Sequence, residues 1–210
     1  NDGSCGGGTG SVGESAGGAR KREERVVTMR LGEQGEWVIE PATAEALPDI
    51  LHIEEACFSA PWTRKMLEAE LSGNPFAHFL LAKQVTSGES GSASIIGYLC
   101  FWVVFEEVRL MNLAVIESMR HKGIARALVS RALELGAAQT ASRALLEVRA
   151  SNQAAHALYR SLGFRDVSTR PTYYSNPIED ALLMELDPIV SAPIRLAQES
   201  GHEGGHTRPL

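Results

Sequence analysis

Cysteine is sparse in this 210-residue chain: Cys5, Cys57 and Cys100 form an odd set with no Cys-x-x-Cys pair. That argues against a disulfide framework or a cysteine-rich zinc site and fits a reducing compartment, so a cytoplasmic location is expected. No apolar run is long enough to span a bilayer. The glycine-rich beginning lacks the apolar core of a signal peptide. A basic surplus is also missing. Twenty Lys and Arg stand against 26 Asp and Glu, for a formal net charge of −6, which speaks against direct nucleic-acid binding or a membrane partner. A basic peptide remains compatible as a substrate. What is present is apolar material, 44% of the residues, enough to build the core of one domain.

The two ends read as tails. Glycine and serine dominate up to Gly18, and a mixed charge run follows from Arg20 to Arg25. Such a stretch buries too little apolar surface to offset chain entropy, so residues 1–30 are expected to be a disordered tail. Residues 188–210 are expected to be a flexible C-terminal tail. His202 and His206 have i, i+4 spacing there, but Gly204 and Gly205 lie between them, and no metal site is expected. The intervening segment, 31–187, alternates helical and strand patterns. A strand is predicted at Trp37–Glu40, and an amphipathic helix over Thr43–Cys57 with Leu47, Ile50, Leu51, Ile53 and Glu54 at roughly helical spacing. Thr63 is the predicted cap of a second helix running to Leu71. Three strands follow, at Phe76–Gln84, Ile95–Phe105 and Val108–Val115, with a polar turn at Thr86–Ser92. Gly123–Ala138, Leu145–Arg149 and Asn152–Leu162 read as helix, strand and helix, the last ended by Gly163. Phe164–Ser168 and Ala181–Leu186 form a final strand pair.

The junction between the third strand and its helix carries the first chemical signal. Arg120-His121-Lys122-Gly123-Ile124-Ala125-Arg126 opens a helix whose first N–H groups have no intrahelical partner and sit at the positive end of the helix dipole. Those groups suit a pyrophosphate. Gly123 lets the ligand approach the backbone, Ala125 keeps that approach open, and Arg120, Lys122 and Arg126 add positive charge. The phosphate loops Gly-x-x-x-x-Gly-Lys-Ser/Thr and Gly-x-Gly-x-x-Gly are absent.

The second signal is Leu145-Leu146-Glu147-Val148-Arg149-Ala150-Ser151-Asn152, followed by Ala157-Leu158-Tyr159-Arg160-Ser161-Leu162-Gly163-Phe164. Strand alternation puts Leu146 and Val148 on one face and Leu145, Glu147 and Arg149 on the other. A carboxylate in an apolar strand is costly unless it is paired or has a task. Taken singly, Glu147 is as well explained by an ion pair, Asn152 by a helix cap and Tyr159 by a core position.

Together these motifs resemble the GNAT acetyltransferases. Arg120-x-x-Gly123-x-Ala125 is similar to their Gln/Arg-x-x-Gly-x-Gly/Ala loop, with alanine where many relatives carry glycine. Trp37–Leu186, including Pro61-Trp62 and Tyr173-Tyr174, resembles in particular the RimI family, which acetylates the N-terminal alanine of ribosomal protein S-18. The resemblance implies an α/β (α+β) GNAT fold, with a mixed, mostly antiparallel sheet flanked by helices. It implies acetyl-CoA as co-substrate, no metal, and a protein N-terminal peptide as partner. It assigns Glu147 as proton acceptor and Tyr159 as proton donor. Leu113, Ala114 and Val115 would hold the pantetheine and acetyl end. Arg120, His121, Lys122, Gly123, Ile124, Ala125 and Arg126 would hold the pyrophosphate, and Asn152 would make a further CoA contact. Pro61-Trp62, the Glu106-Glu107 turn and Tyr173-Tyr174 are the expected specificity surface. Alternatives are a lysine, polyamine or small-molecule amine as acceptor, or a non-catalytic acetyl-CoA-binding module.

Overall fold

The computed structural model describes residues 27–30, 36–85 and 93–189. The Arg20–Arg25 run, the Thr86–Ser92 turn and the His202/His206 pair lie outside these residues. The strands are β1 (Val27–Arg30), β2 (Glu36–Pro41), β3 (Ala77–Val85), β4 (Ala93–Val104), β5 (Glu107–Val115), β6 (Arg143–Arg149), β7 (Arg165–Ser175) and β8 (Ile178–Leu186). The helices are α1 (Leu47–Cys57), α2 (Arg64–Glu68), α3 (Ile124–Ala138) and α4 (Gln153–Ser161). One sheet contains every described strand, in the order β1-β2-β3-β4-β5-β6-β8-β7. All neighbours are antiparallel except β5 and β6. This is the mixed, mostly antiparallel sheet expected from the sequence.

Differences from the sequence reading are local. Val27–Arg30, inside the expected N-terminal tail, pairs with β2 as the edge strand. Its four residues sit next to a charge run, and a short edge strand has too few alternations to stand out. The second helix leaves α-geometry after Glu68 and continues as a wider turn over Ala69–Gly73. The last strand pair is longer than predicted, because Arg165–Ser175 is solvent-exposed on nearly every residue and shows no apolar alternation. Thr63 does cap α2, its hydroxyl accepting from the Met66 N–H at 3.3 Å.

Helices cover both faces of the sheet. On one face, Ile124, Leu128, Val129, Ala132 and Leu133 of α3 pack with Leu99, Phe101 and Val103 of β4 and with Tyr159 of α4. On the other, Leu47, Ile50 and Ile53 of α1 and Leu67 of α2 pack with Phe79, Leu81, Tyr98 and Cys100. The alternation of Leu99, Phe101 and Val103 with Tyr98 and Cys100 is the two-residue strand period. Burying each large aliphatic side chain of α3 contributes roughly 1.5–3 kcal/mol. Helix propensities of ordinary residues differ by less than about 0.7 kcal/mol. Packing against the sheet therefore fixes where α3 lies, and with it the junction at Gly123.

Candidate active site

The parallel pair β5–β6 is joined only from Glu107↔Arg143 to Leu110↔Leu146. Beyond that point the strands splay. The register of β4 and β5 steps from Cys100↔Asn112 to Phe101↔Leu110, leaving Met111 as an extra residue. A bulge bends the strand that carries it. A cleft of about 450 Å³ opens in the splay, lined by Met111, Asn112 and Leu113 of β5 and by Glu147, Val148 and Arg149 of β6. Asn152, Ala155, Leu158 and Tyr159 of the α4 region form a further wall, and Cys57, Phe58 and Trp62 face them from the α1–α2 connection.

The structure thus brings together four of the sequence-predicted residues: Leu113, Glu147, Asn152 and Tyr159. Ala114 and Val115 follow on the same strand but are buried in the two cores, so only their backbone is available to a ligand. Arg120–Arg126 lie past the end of β5 and do not line the cleft. Gly123 caps α3 in the left-handed region, with φ +79° and no side chain capping the helix. A Cβ added there would meet nothing within 4 Å, so the space beside Gly123 is open. Ile124 is buried and offers only its N–H. Arg120 turns back, donating from Nε to the Val115 carbonyl at 3.1 Å. Arg126 donates to Ser161 Oγ at 2.5 Å, and Lys122 Nζ lies 3.4 Å from Met119 Sδ. At the start of α3 the backbone N–H groups are thus without a side-chain cap, and Arg120 and Arg126 are engaged with neighbouring groups.

Glu147 is paired across the sheet rather than with Arg149. Arg170 Nη1 of β7 lies 2.7 Å from Glu147 Oε1, and the Glu147 side chain keeps 24% of its surface exposed. The nearby Glu147 carboxylate also pushes the pKa of the Tyr173 hydroxyl up. Arg170 stands at the edge of a bulge and Tyr173 lies within it. Between Arg170↔Ala181 and Tyr174↔Glu179, three residues of β7 oppose the single Asp180. Thr172 there has φ +56°, and its N–H donates to Asp180 Oδ1 at 2.8 Å. Arg149 instead binds Glu179 at 3.1 Å and the Asn176 carbonyl at 2.8 Å, while stacking 4.1 Å over the Tyr174 ring. This ties the β7–β8 turn to β6.

Tyr159 is 7% exposed and packs edge-on against Phe164 at 5.6 Å. Burial, with a smaller push from Tyr174, raises its hydroxyl pKa well above the ordinary tyrosine value. Asn152 both lines the cleft and caps α4, its Oδ1 accepting from the Ala155 N–H at 3.1 Å.

Cys57 is half-buried and lines the cleft, because α1 ends there. One sequence expectation is corrected. The Glu106-Glu107 turn, expected on the specificity surface, sits at the opposite end of the β5–β6 pair, where Glu107 binds Arg143 at 2.5 Å. The sequence reading missed Asn112 and Arg170. For Arg170 and Asn112 no local pattern marks the contact.

The sequence profile of the acetyltransferase (GNAT) family matches residues 47–164. The chain is 33% identical over 142 residues to the [ribosomal protein bS18]-alanine N-acetyltransferase of Escherichia coli, spanning 67% of this chain and 90% of that protein. It is 32% identical over 140 residues to a putative enzyme of that name from Bacillus subtilis, spanning 67% and 88%. The crystal structure of the Escherichia coli ribosomal-protein-S18-alanine N-acetyltransferase superposes with a TM-score of 0.63 at 30% identity, covering 76% of this chain and 98% of that one. Arabidopsis thaliana NAA60 in complex with acetyl-CoA shares the fold, with a TM-score of 0.64 at 20% identity over 72% and 98% of the two chains.

Proposed function

The chain belongs to the acetyltransferase (GNAT) family, and from that premise we propose that it acetylates the N-terminal amine of a protein. The acceptor residue is alanine and the protein is ribosomal protein S-18. The observation that carries the reading is the splay of β5 from β6, which leaves a strand edge along one wall of the cleft with Glu147 on the other, while the helix start at Gly123, which no side chain caps, lies past the end of β5. Support for the substrate comes from relatives at 32–33% identity. The aromatic pair Trp62 and Tyr174 in the cleft wall also suits an extended peptide.

The acetyl group is supplied by acetyl-CoA as a thioester. Backbone N–H groups at the start of α3 hold its pyrophosphate, and the Leu113–Val115 backbone aligns its acetyl end. Asn152 contacts the CoA beside them. An N-terminal amine has a pKa of about 7.7–8.0, so much of it is protonated at neutral pH. Glu147, directly or through one water, takes that proton. The amine nitrogen then attacks the thioester carbon, a backbone N–H near Leu113 polarises the carbonyl, and the carbon–sulfur bond breaks. Tyr159 delivers a proton to the leaving sulfur, and the second proton shed by the nitrogen as the amide forms returns through solvent to restore the phenol. Its raised pKa keeps it protonated throughout the neutral range, so the acid form is always available.

A panel of acceptors tests the reading: an Ala-Arg-start peptide, the same peptide with a blocked amine, free lysine and spermidine, with products weighed by mass spectrometry. We expect acetylation of the free-amine peptide alone. Faster transfer to lysine or spermidine would move the substrate class. Tight acetyl-CoA binding without transfer to any amine would make the chain a binding module.

A further inference from the structure

Glu54 of α1 is fully buried, with 0% of its surface exposed, and among the described residues none of the hydrogen-bond partners it meets is a cation. Three neutral donors converge on its carboxylate. Oε1 accepts from the Tyr98 hydroxyl and from Asn112 Nδ2 at 2.6 Å. Oε2 accepts from the Trp62 backbone N–H at 2.6 Å. A buried carboxylate held only by neutral donors is a costly arrangement, and removing any one of them leaves charge unsatisfied. Burial pushes its pKa up against the opposing pull of these three donors. Two of the donors have a common property: Trp62 and Asn112 both line the cleft, from different elements. Asn112 is also the residue next to the Met111 bulge at which β5 bends.

We propose that Glu54 is a positioning residue for the acceptor side of acetyl transfer. Its carboxylate pins the α1–α2 connection to the bent part of β5, fixing the width of the cleft where the amine enters. The inference rests on reading the cleft as the transfer site. It assigns Glu54 no contact with either substrate. The helix mouth at Gly123 lies outside this network, so acetyl-CoA binding is expected to be independent of it.

The test is the Glu54→Gln variant of the full chain, which replaces one acceptor oxygen by a donor at nearly the same shape. Acetyl-CoA affinity is measured by calorimetry, and acceptor kinetics with whichever amine the unaltered enzyme acetylates fastest. The expected result is an acceptor KM raised about tenfold or more with acetyl-CoA affinity within about twofold of the unaltered enzyme. Asn112→Ala is expected to show the same split. The double variant is expected to lose no more acceptor kcat/KM than the worse single one, because both cut one linkage. Should Glu54→Gln fail to fold, Asn112→Ala alone decides by the same split. Unchanged acceptor KM, an equal loss for both substrates, or additive losses overturn the proposal while leaving the transfer reading intact. An unaltered enzyme that acetylates no amine overturns both.

Discussion

Glu147 and Tyr159 approach one cleft from different directions, one on a sheet strand with a quarter of its side chain exposed, the other nearly buried on a helix. Their surroundings separate their roles. Glu147 is held by the Arg170 guanidinium, an arrangement that orients a carboxylate. Tyr159 is desolvated among apolar neighbours, which favours its neutral, proton-bearing form. Glu147→Gln is expected to cut kcat by about a hundred- to ten-thousand-fold without loosening acetyl-CoA. Full-speed turnover by that variant would remove the residue from the chemistry. For Tyr159→Phe we expect a slower thiol-leaving step. In the unaltered enzyme, kcat should hold its plateau up to at least about pH 10, the ordinary tyrosine value. An alkaline decline near neutrality would reject Tyr159 as the acid. Both residues were legible in the sequence through the Glu-Val-Arg-Ala-Ser-Asn and Leu-Tyr-x-Ser-Leu-Gly-Phe runs. Arg170 was not, since it reaches Glu147 from another strand, at the edge of a bulge whose register no run of residues encodes.

Among the elements, the junction of β5 with α3 depends on one backbone conformation. Gly123 occupies the left-handed region at φ +79°, where a Cβ costs about 1–2 kcal/mol even though nothing nearby obstructs it. Gly123→Ala is therefore expected to weaken acetyl-CoA binding about tenfold, through a shifted helix mouth, and to leave the acceptor KM nearly unchanged. Calorimetric titration with acetyl-CoA checks this, and an unaltered affinity would mean that the α3 start is not the anion cradle. The glycine and its flanking cations were readable as a motif because they are consecutive. The β7 strand was not, because its exposed residues show no alternation and its pairing with β8 is interrupted twice.

For the whole molecule, the cleft exists because α3 holds β5 on one face while α1 grips it on the other. Contact between α3 and β5 is close. A Cβ on Gly136 would come within 2.1 Å of Val108 Cγ2, and Val108 is fully buried and β-branched, so it has little room to yield. Gly136→Ala should cost about 1–3 kcal/mol, lowering Tm by about 2–4 °C for each kcal/mol. A thermal melt that matches the unaltered protein would show that the helix can lift without penalty. By itself, the sequence determined what is local: the order of most helices and strands, the caps at Thr63, Asn152 and Gly163, the phosphate-type loop, and the two residues proposed here as acid and base. Those features rest on periodicity, on single-residue backbone preferences and on short motifs, all contained within a few positions. Only the tertiary structure decided that β5 and β6 part after Leu110, that Glu147 pairs with Arg170, and that Glu54 links Trp62 to Asn112. These join segments 8 to 58 residues apart, and hydrogen-bond register across such distances leaves no trace in the neighbouring residues.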